Sequence, residues 1–191
     1  MSERFPLASL AVPGTGSPVD GTAAITLSER RPGTIADIAI WDEATDIAAT
    51  LGIFAIPAPG GVVAGPGLVC LSTAPGRMTA IAQAAGLADR LEAGIPLDDG
   101  TVVDQTHGRA GLRISGDPAA TLIQKGVSFD ISRFAPMSAT NAGIHHMGAT
   151  IIRLADDTFD VFATTSLANS LWDWVTDAAV EYGWRVGVSV P

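Results

Sequence analysis

Alternating apolar and polar residues predict that the first half of the chain is rich in β-strands. The alternation runs over residues 34–41 with a period of two, which is typical of a strand with one buried face. Two shorter apolar runs, at 68–72 and 78–81, flank the turn-forming pair Pro75-Gly76 and predict two more strands. Residues 56–67 are rich in proline and glycine and are predicted to form a loop.

The second half of the chain predicts further strands between turn residues. In one of them Ala110, Leu112 and Ile114 should lie on one face, with Arg113 on the other. An Asp-Gly pair and an Asp-Asp pair, both favoured in turns, separate these strands from their neighbours. The strands predicted in this half cover residues 101–104, 110–114, 144–154 and 159–164.

Capping residues predict where the helices begin and end. The clearest helix covers residues 117–126, with Asp117 as the N-cap, Pro118 in the first helical position and Gly126 at the end. Two shorter helices are expected upstream. One is capped by Asp42 and ends at Gly52, and the other carries Leu87 and Leu91.

The last predicted helix begins after its cap, Ser166, and ends at Gly183. Its main apolar face is predicted to carry Leu167, Leu171, Trp174, Val175, Ala178 and Tyr182. Trp172 lies off this face, so the helix is apolar on more than one side. Either the helix is fully wrapped by its own domain, or Trp172 contacts another subunit, since exposed tryptophan often anchors interfaces.

Together these elements predict an α+β fold with mixed or antiparallel sheets and helices packed on them, because strands and helices alternate without a regular β-α repeat. Residues 1–24 lack any periodicity. They are predicted to be an N-terminal arm that is flexible or that orders against a partner. The remaining residues, 25–191, are expected to form one α+β domain, or two small lobes at about 25–97 and 98–191.

The composition excludes several classes of partner. Of 191 residues, 47% are hydrophobic and 16% are charged, which is enough apolar material for a core. A net charge of -9 without a basic stripe argues against nucleic acid and against an anionic membrane surface. No apolar stretch approaches the roughly 20 residues that span a bilayer. A lone cysteine, Cys70, and the lack of a signal-peptide pattern predict a cytoplasmic protein.

No complete active site can be assembled from the sequence motifs. Glycine-rich phosphate motifs and the G-x-S-x-G elbow are missing, and Cys70 lies in an apolar run that predicts an inert thiol. On a strand, His145 and His146 would point to opposite faces and would not converge on one metal without a bulge. We therefore assign no catalytic, cofactor-binding or metal-binding residue. The candidates for contact with a partner or an anion are His107, Arg109, His145, His146 and Trp172.

An ordered set of short motifs resembles the gamma subunits of heterotetrameric sarcosine oxidase. The motifs are LSERRPG (27–33), DQTHGR (104–109), LRISG (112–116), LIQKG (122–126), FDI (129–131), FAP (134–136), GIHHM (143–147), FDVF (159–162), SLA (166–168), LWDW (171–174) and EYG (181–183). That family is more distantly similar to the folate-binding aminomethyltransferases, which include the glycine cleavage T-protein. Their D-x-S-H strand leads to a strand, a Gly-Asp turn and a helix, much as residues 104–126 do here. The resemblance therefore implies a fragment of the aminomethyltransferase folate-binding fold.

The resemblance also implies a role and a set of partners. The complete oxidase of that family demethylates sarcosine oxidatively to glycine and contains alpha, beta, gamma and delta subunits. FAD, FMN, NAD, folate and zinc are then expected on the partner subunits, and none of them on this chain. The expected role is that of an accessory subunit that stabilises the large folate- and nucleotide-binding subunit.

One departure from the aminomethyltransferases bears on folate. They carry a carboxylate that acts on folate just after a glycine-rich turn, whereas the comparable stretch here, 143–149, has no Asp or Glu. The chain is also too short for their three-part architecture. A stand-alone folate-binding protein of the aminomethyltransferase group stays open as the alternative function. An independent hydrolase has only scattered Ser, His and Asp residues in its favour.

Overall fold

Two β-sheets, each with its own helices, organise the chain. This computed structural model describes residues 5–41 and 46–191, which divide into two units. Unit 1 contains the described residues up to Arg31, together with Gly108–Pro136 and Thr140–Val190. Unit 2 contains Pro32–His107 and Met137–Ala139, with Pro191. The chain therefore starts in unit 1, builds most of unit 2, and returns to complete unit 1.

The elements follow one another as strands with short helical insertions. The strands are β1 (Gly16–Ser17), β2 (Ile25–Arg30), β3 (Thr34–Ile40), β4 (Val62–Gly65), β5 (Leu68–Ala74), β6 (Arg77–Ala82), β7 (Gly100–Asp104), β8 (Arg109–Ser115), β9 (Ser138–Ile144), β10 (Met147–Ala155), β11 (Thr158–Thr164) and β12 (Trp184–Val186). The α-helices are α1 (Ile47–Leu51), α2 (Leu87–Gly94), α3 (Ala119–Gln124) and α4 (Ala168–Ala179). Short 3₁₀ turns cover Ile131–Arg133, Thr165–Leu167 and Val180–Tyr182.

The two sheets differ in how their strands run. One has the order β1-β12-β2-β8-β11-β10-β9, in which β12 lies parallel to β2 and β8 lies antiparallel to both of its neighbours. The other has the order β4-β5-β6-β3-β7 and is antiparallel throughout. The predicted α+β class with mixed and antiparallel sheets is confirmed.

The core of unit 1 lies on one face of its sheet. Leu112 pairs with Val161 and Ile114 pairs with Phe159, and all four side chains are fully buried. Helices α3 and α4 add buried residues to the same cluster, among them Leu122, Ile123, Leu171 and Val175. The predicted alternation on β8 is confirmed, because its apolar residues enter this core while Arg113 lies on the opposite face.

Unit 2 has a second core between its sheet and helices α1 and α2. Ile38 and Met78 pair across β3 and β6 and are buried, and Leu91 of α2 is fully buried. The predicted helix end at Gly52 is confirmed, with φ +69°. The predicted cap Asp42 lies outside the described residues, and Asp46 caps α1 by accepting a hydrogen bond from the Ala49 amide at 3.2 Å.

Two predicted strand boundaries are wrong. Residues 62–65, predicted as a loop, form strand β4, which pairs with β5 from Val62 opposite Leu71 to Gly65 opposite Leu68. The strand predicted over 144–154 is split between β9 and β10 by a turn at His145-His146. His145 adopts a left-handed conformation with φ +55°, which ends a strand.

Two predicted helix caps are also wrong. Helix α3 has Pro118 at its N-cap position, and the Ala119 amide donates to the Gly116 carbonyl at 2.8 Å, so the Asp117 side chain does not cap the helix. Ser166 lies inside a 3₁₀ turn, and α4 begins after it with Leu167 as its N-cap residue. In both places a tight turn of the backbone leads into the helix, and no side chain makes the predicted capping hydrogen bond.

The N-terminal segment packs within unit 1. Leu7 is fully buried, and its amide donates to Glu29 Oε1 at 2.7 Å. Arg31 donates to the other oxygen of Glu29 from Nε and Nη2, at 2.8 and 2.7 Å, and its guanidinium lies over the Phe5 ring. Whether residues 1–24 also contact a partner stays a prediction.

Candidate functional site

A surface pocket of about 530 Å³ lies in unit 1, between strands β8, β9, β10 and β11. It opens on the face of the sheet opposite the core, because Leu112, Val161 and Ile151 of the same strands point into the core. The residues that line it include Arg109, Asn141, Gly143, Gly148, Thr150 and Thr164. The pocket is therefore built from strand residues, whose positions the sheet holds.

Strand pairing explains how these residues meet. Arg109 at the start of β8 pairs with Thr164 at the end of β11. The two-residue turn between β9 and β10 places Gly143 opposite Gly148, and Asn141 opposite Thr150. The second pairing is seen directly, since the Thr150 hydroxyl donates to Asn141 Oδ1 at 2.7 Å.

One charged side chain lies among the described residues that line the pocket. It belongs to Arg109, and the other described lining residues carry amide, hydroxyl or no polar side-chain groups. A guanidinium offers up to five donors in a planar fork, and it stays protonated under all ordinary conditions. Arg109 already has an interaction within the protein, so its contact with an anion or a partner stays a prediction.

His145 and His146 form the tip of the β9–β10 hairpin. Both are exposed, and their rings lie 4.1 Å apart between centroids, so they do not point to opposite faces as the sequence analysis predicted. His145 also stacks on Trp174 of α4, with 6.3 Å between centroids and 19° between planes. The backbone of the turn is held in place because the His145 amide donates to the Gly126 carbonyl at 2.7 Å.

His107 lies in unit 2, in an exposed turn after β7. The residues before it form a hydrogen-bonded turn, in which Asp104 Oδ1 accepts hydrogen bonds from the Thr106 hydroxyl and amide at 2.5 and 2.8 Å. These bonds lower the pKa of Asp104, and the nearby His107 adds a smaller contribution. Thr106 Oγ1 in turn accepts from the Ile35 amide at 3.0 Å, so this motif ties β7 to β3.

Trp172 lies on the buried face of α4, so the prediction that it lies off the main apolar face of the helix is wrong. Trp172 is only 8% exposed and packs edge-to-face with Trp184, with 5.8 Å between the ring centroids. The buried stripe of the helix is Ala168, Leu171, Trp172, Val175 and Ala179. This stripe follows the i, i+3, i+4, i+7 spacing, and the two alanines at its ends make it hard to recognise from hydrophobicity alone.

A buried ion network in unit 1 was not predicted. Arg113 donates from Nε and Nη2 to the two carboxylate oxygens of Asp160, at 2.7 and 2.8 Å. Arg30 Nε lies 3.0 Å from Asp160 Oδ2, in an ion pair without hydrogen-bond geometry. Burial lowers the pKa of Arg30, while the nearby Asp160 opposes that shift. The three side chains converge from β2, β8 and β11, and this pairing of distant strands has no local sequence signal.

The remaining candidate chemistry is limited in the described part of the chain. Cys70 is buried, as predicted, and burial raises the pKa of its thiol to about 11. Within residues 5–41 and 46–191, no three His, Cys, Asp or Glu side chains gather closely enough to hold a metal ion. No helix in these ranges is both long and apolar enough to cross a bilayer.

The chain is an α+β protein, and two solved structures share its fold. A chain of the heterotetrameric sarcosine oxidase from Corynebacterium sp. U-96, in complex with pyrrole 2-carboxylate, matches at a TM-score of 0.83 and 22% identity, over 95% of this chain and 97% of that one. The glycine cleavage system aminomethyltransferase T from Bartonella henselae matches at a TM-score of 0.69 and 16% identity, over 97% of this chain and 60% of that one. This chain therefore spans less than two thirds of the aminomethyltransferase.

The sequence itself identifies the family. The model of the sarcosine oxidase gamma subunit family matches residues 75–181, which is more than half of the chain. The chain belongs to the sarcosine oxidase gamma subunit family, and the resemblance seen in its motifs is confirmed. No protein with curated annotation matches it in sequence.

Proposed function

We propose that this chain is a non-catalytic accessory subunit of a flavin-dependent heterotetrameric sarcosine oxidase, a cytoplasmic enzyme that demethylates sarcosine oxidatively to glycine. Its role is to stabilise the large subunit that carries the folate and nucleotide sites. One observation carries this proposal: the chain corresponds nearly end to end with a chain of a heterotetrameric sarcosine oxidase, and it belongs to the gamma subunit family.

The use of the reactive side chains supports a structural role. The buried carboxylates are engaged in holding the fold, since Asp160 pairs with two arginines and Glu29 binds Arg31 and the Leu7 amide. The Cys70 thiol is buried and its pKa is raised, which keeps it protonated and unreactive at neutral pH. These groups stabilise the subunit instead of acting on a substrate.

Exposed apolar side chains in unit 2 offer a surface for a larger subunit. Leu97 is 84% exposed and Trp41 is 58% exposed. The Trp41 indole donates to the Asp98 carbonyl, so these two side chains lie at the same turn. Phe54 is fully exposed. Large apolar groups that are left mostly exposed can mark contact surfaces, and we assign the one around Trp41 and Leu97 to an alpha, beta or delta subunit.

The cofactors follow from the same proposal. FAD, FMN, NAD, folate and zinc belong to the partner subunits, and this chain retains none of them. Gel filtration of the isolated chain with FAD or tetrahydrofolate should leave the protein peak free of both, whereas the assembled complex should elute yellow and should retain folate. Retention of either cofactor by the isolated chain would contradict this assignment.

Co-expression with alpha, beta and delta subunits tests the role. An affinity tag on this chain should capture a complex with flavin absorbance and sarcosine-dependent oxygen uptake, and omitting the chain should lower the yield of the large subunit. Leu97→Ser should weaken capture, and Val188→Ser, at an exposed site of unit 1, should not. An oxidase that assembles and turns over fully without this chain would refute the proposal.

A further inference from the structure

We propose that strand β7 of unit 2 pairs with an extended, basic segment of a partner subunit, which adds a sixth strand to the five-stranded sheet. This inference rests on the proposed function, because it takes the partner from the complex in which this chain is an accessory subunit. Within the described residues, β7 ends the strand order β4-β5-β6-β3-β7, so no strand lies along its second edge. Such an edge presents a row of backbone donors and acceptors with which another chain can pair.

The other sheet edges in the described residues are short or partly covered. At the far end of the same sheet, Met137–Ala139 covers the start of β4, where the Val62 amide donates to the Met137 carbonyl at 3.0 Å. In unit 1, β1 has two residues, and β9 is bridged at its last residue, Ile144, by Val127. Proteins shorten, cover or charge their edge strands in this way to prevent unwanted pairing. Strand β7 is five residues long, contains no Pro or Lys, and pairs with β3 in an unbroken register, so it has none of these protections.

The pairing with β3 determines which backbone groups of β7 point to the open edge. The Gln105 amide donates to the Ile35 carbonyl at 2.7 Å, one position beyond the end of β7. Residues that face the partner alternate along an antiparallel pair, so the residues whose backbone groups face the open edge are Gly100, Val102 and Asp104. The Gly100 amide is already bonded within the turn before β7. An added strand would therefore pair mainly with the amides and carbonyls of Val102 and Asp104.

Side chains beside this edge fit apolar residues of an incoming strand. Val102 packs against the unit 2 core, so Thr101 and Val103 lie on the opposite face of the sheet. Both are exposed, Val103 at 48%. Trp41 and Leu97 continue the exposed apolar surface at the start of β7. An added strand could bury these groups while its backbone completes the sheet, the combination by which peptides add to sheet edges.

The charge of the edge favours a basic occupant over a second copy of this chain. Residues 96–106 contain no Lys or Arg and three aspartates, Asp98, Asp99 and Asp104. Antiparallel pairing of two β7 strands would bring these carboxylates together, and like charges across paired strands are destabilising. A segment that carries Lys or Arg beside its apolar residues would be attracted by the same carboxylates.

Hydrogen–deuterium exchange, resolved to single amides by mass spectrometry, tests the backbone pairing. The full chain is compared alone and in the complex co-expressed with the alpha, beta and delta subunits. In the isolated chain, the Val103 amide, which faces β3, should exchange slowly, and the amides of Val102 and Asp104 should exchange quickly. Assembly should slow exchange at Val102 and Asp104 by about tenfold or more. Unchanged exchange at both amides would overturn strand addition, even if side chains nearby become buried.

A proline at Val102 tests the same pairing by capture of the complex. Val102→Pro removes an N–H that faces the open edge, and proline is tolerated in an edge strand at such a position. Val102→Ala is the matched control, because it alters the same side chain and keeps the N–H. Val102→Pro should weaken capture of the partner subunits about tenfold relative to Val102→Ala, since one carbonyl of the added strand is left unpaired. The melting temperatures of the two isolated variants should agree within about 4 °C, which checks that the fold persists.

A charge reversal tests the basic character of the occupant without touching the backbone. Asp98→Lys places a positive charge beside the edge, and Asp177→Lys makes the same change at an exposed site of unit 1. Asp98→Lys should weaken capture about threefold relative to Asp177→Lys, and the difference should shrink at high salt. Equal capture by the two variants would overturn the basic occupant.

The outcomes also separate this inference from the proposed function. If Val102→Pro and Val102→Ala capture an active, yellow complex equally well, strand addition is overturned and the accessory role stands. If the unaltered chain captures no partner subunit, both fail. If the isolated chain elutes as a dimer in gel filtration and Val102→Pro converts it to a monomer, the occupant is a second copy and the partner-subunit inference fails.

Discussion

Replacing Asp160 with Asn should destabilise unit 1 strongly. Asp160 is 1% exposed, and its carboxylate faces two arginines. The change leaves Arg30, which is 7% exposed, without its ion-pair partner. Removing one member of a buried pair costs about 3–5 kcal/mol, because the other charge stays buried and unpaired. The lower end, about 3 kcal/mol, is expected here because the Arg113 side chain is 26% exposed and can turn toward water.

Urea unfolding, followed by tryptophan fluorescence, measures this effect. Trp172, Trp174 and Trp184 all belong to unit 1 and report on its unfolding. With an m-value of about 2 kcal/mol/M, a loss of about 3 kcal/mol lowers the midpoint by about 1.5 M. Arg30→Met should cost less, because Asp160 keeps both hydrogen bonds from Arg113.

The double variant Arg30→Met with Asp160→Asn separates an ion-pair effect from a packing effect. It should be more stable than Asp160→Asn alone, since it removes the buried charge that the single change leaves unpaired. Glu181→Gln, at an exposed pair with Lys125, is the control and should leave the midpoint unchanged. The reasoning is refuted if Asp160→Asn shifts the midpoint no further than this control, or if the double variant is the least stable of all.

Three further predictions concern single residues of the two units. Leu7→Ala should cost about 3 kcal/mol in urea unfolding because Leu7 is fully buried, and Val12→Ala, at an exposed site, should cost little; equal midpoints would support a flexible N-terminal arm instead. Burial raises the pKa of the Cys70 thiol from an ordinary 9.0 to about 11. The contribution of this group to the free energy of unfolding is therefore fully present below pH 9, and roughly 2–3 kcal/mol is lost as the pH rises through 11. Cys70→Ala should remove this loss from the pH profile of the free energy of unfolding. Arg153 donates to the carbonyls of Ile131, Phe134, Ala155 and Asp156, so Arg153→Met should cost about 3 kcal/mol by removing these hydrogen bonds; a melting temperature like that of Arg77→Met would contradict this.

The elements that the sequence predicts well are those with a strong local signal. Strand β8 alternates large apolar residues with polar ones, and Gly52 ends helix α1 in the left-handed conformation that glycine favours. Strand β9 has no such signal, because it is made of Ser, Ala, Thr, Asn and Gly before its final Ile144. Its pairing with β10, and not its own side chains, makes it a strand.

The candidate site is harder to predict because its residues come from distant parts of the chain. Arg109 was singled out from the sequence, but Asn141 and Thr164 join it only through the pairing of β8, β9, β10 and β11. The same reason applies to Asp160, whose neighbour Arg30 reaches it across β8. The prediction for Trp172 is wrong for a different reason. The buried stripe of α4 begins and ends with the small residues Ala168 and Ala179, which mark a buried face less clearly than large apolar residues do.

Two places on one face of the unit 1 sheet, around Asp160 and around Gly143 and Gly148, should respond differently to substitution. Around Asp160 the side chains need one another, so removing one of them changes the stability of unit 1. Around Gly143 and Gly148 an added Cβ would meet no atom of the chain within 4 Å, so a methyl group there should cost little stability. A change at Asp160 should therefore move the unfolding midpoint, whereas Gly148→Ala should leave it nearly unchanged.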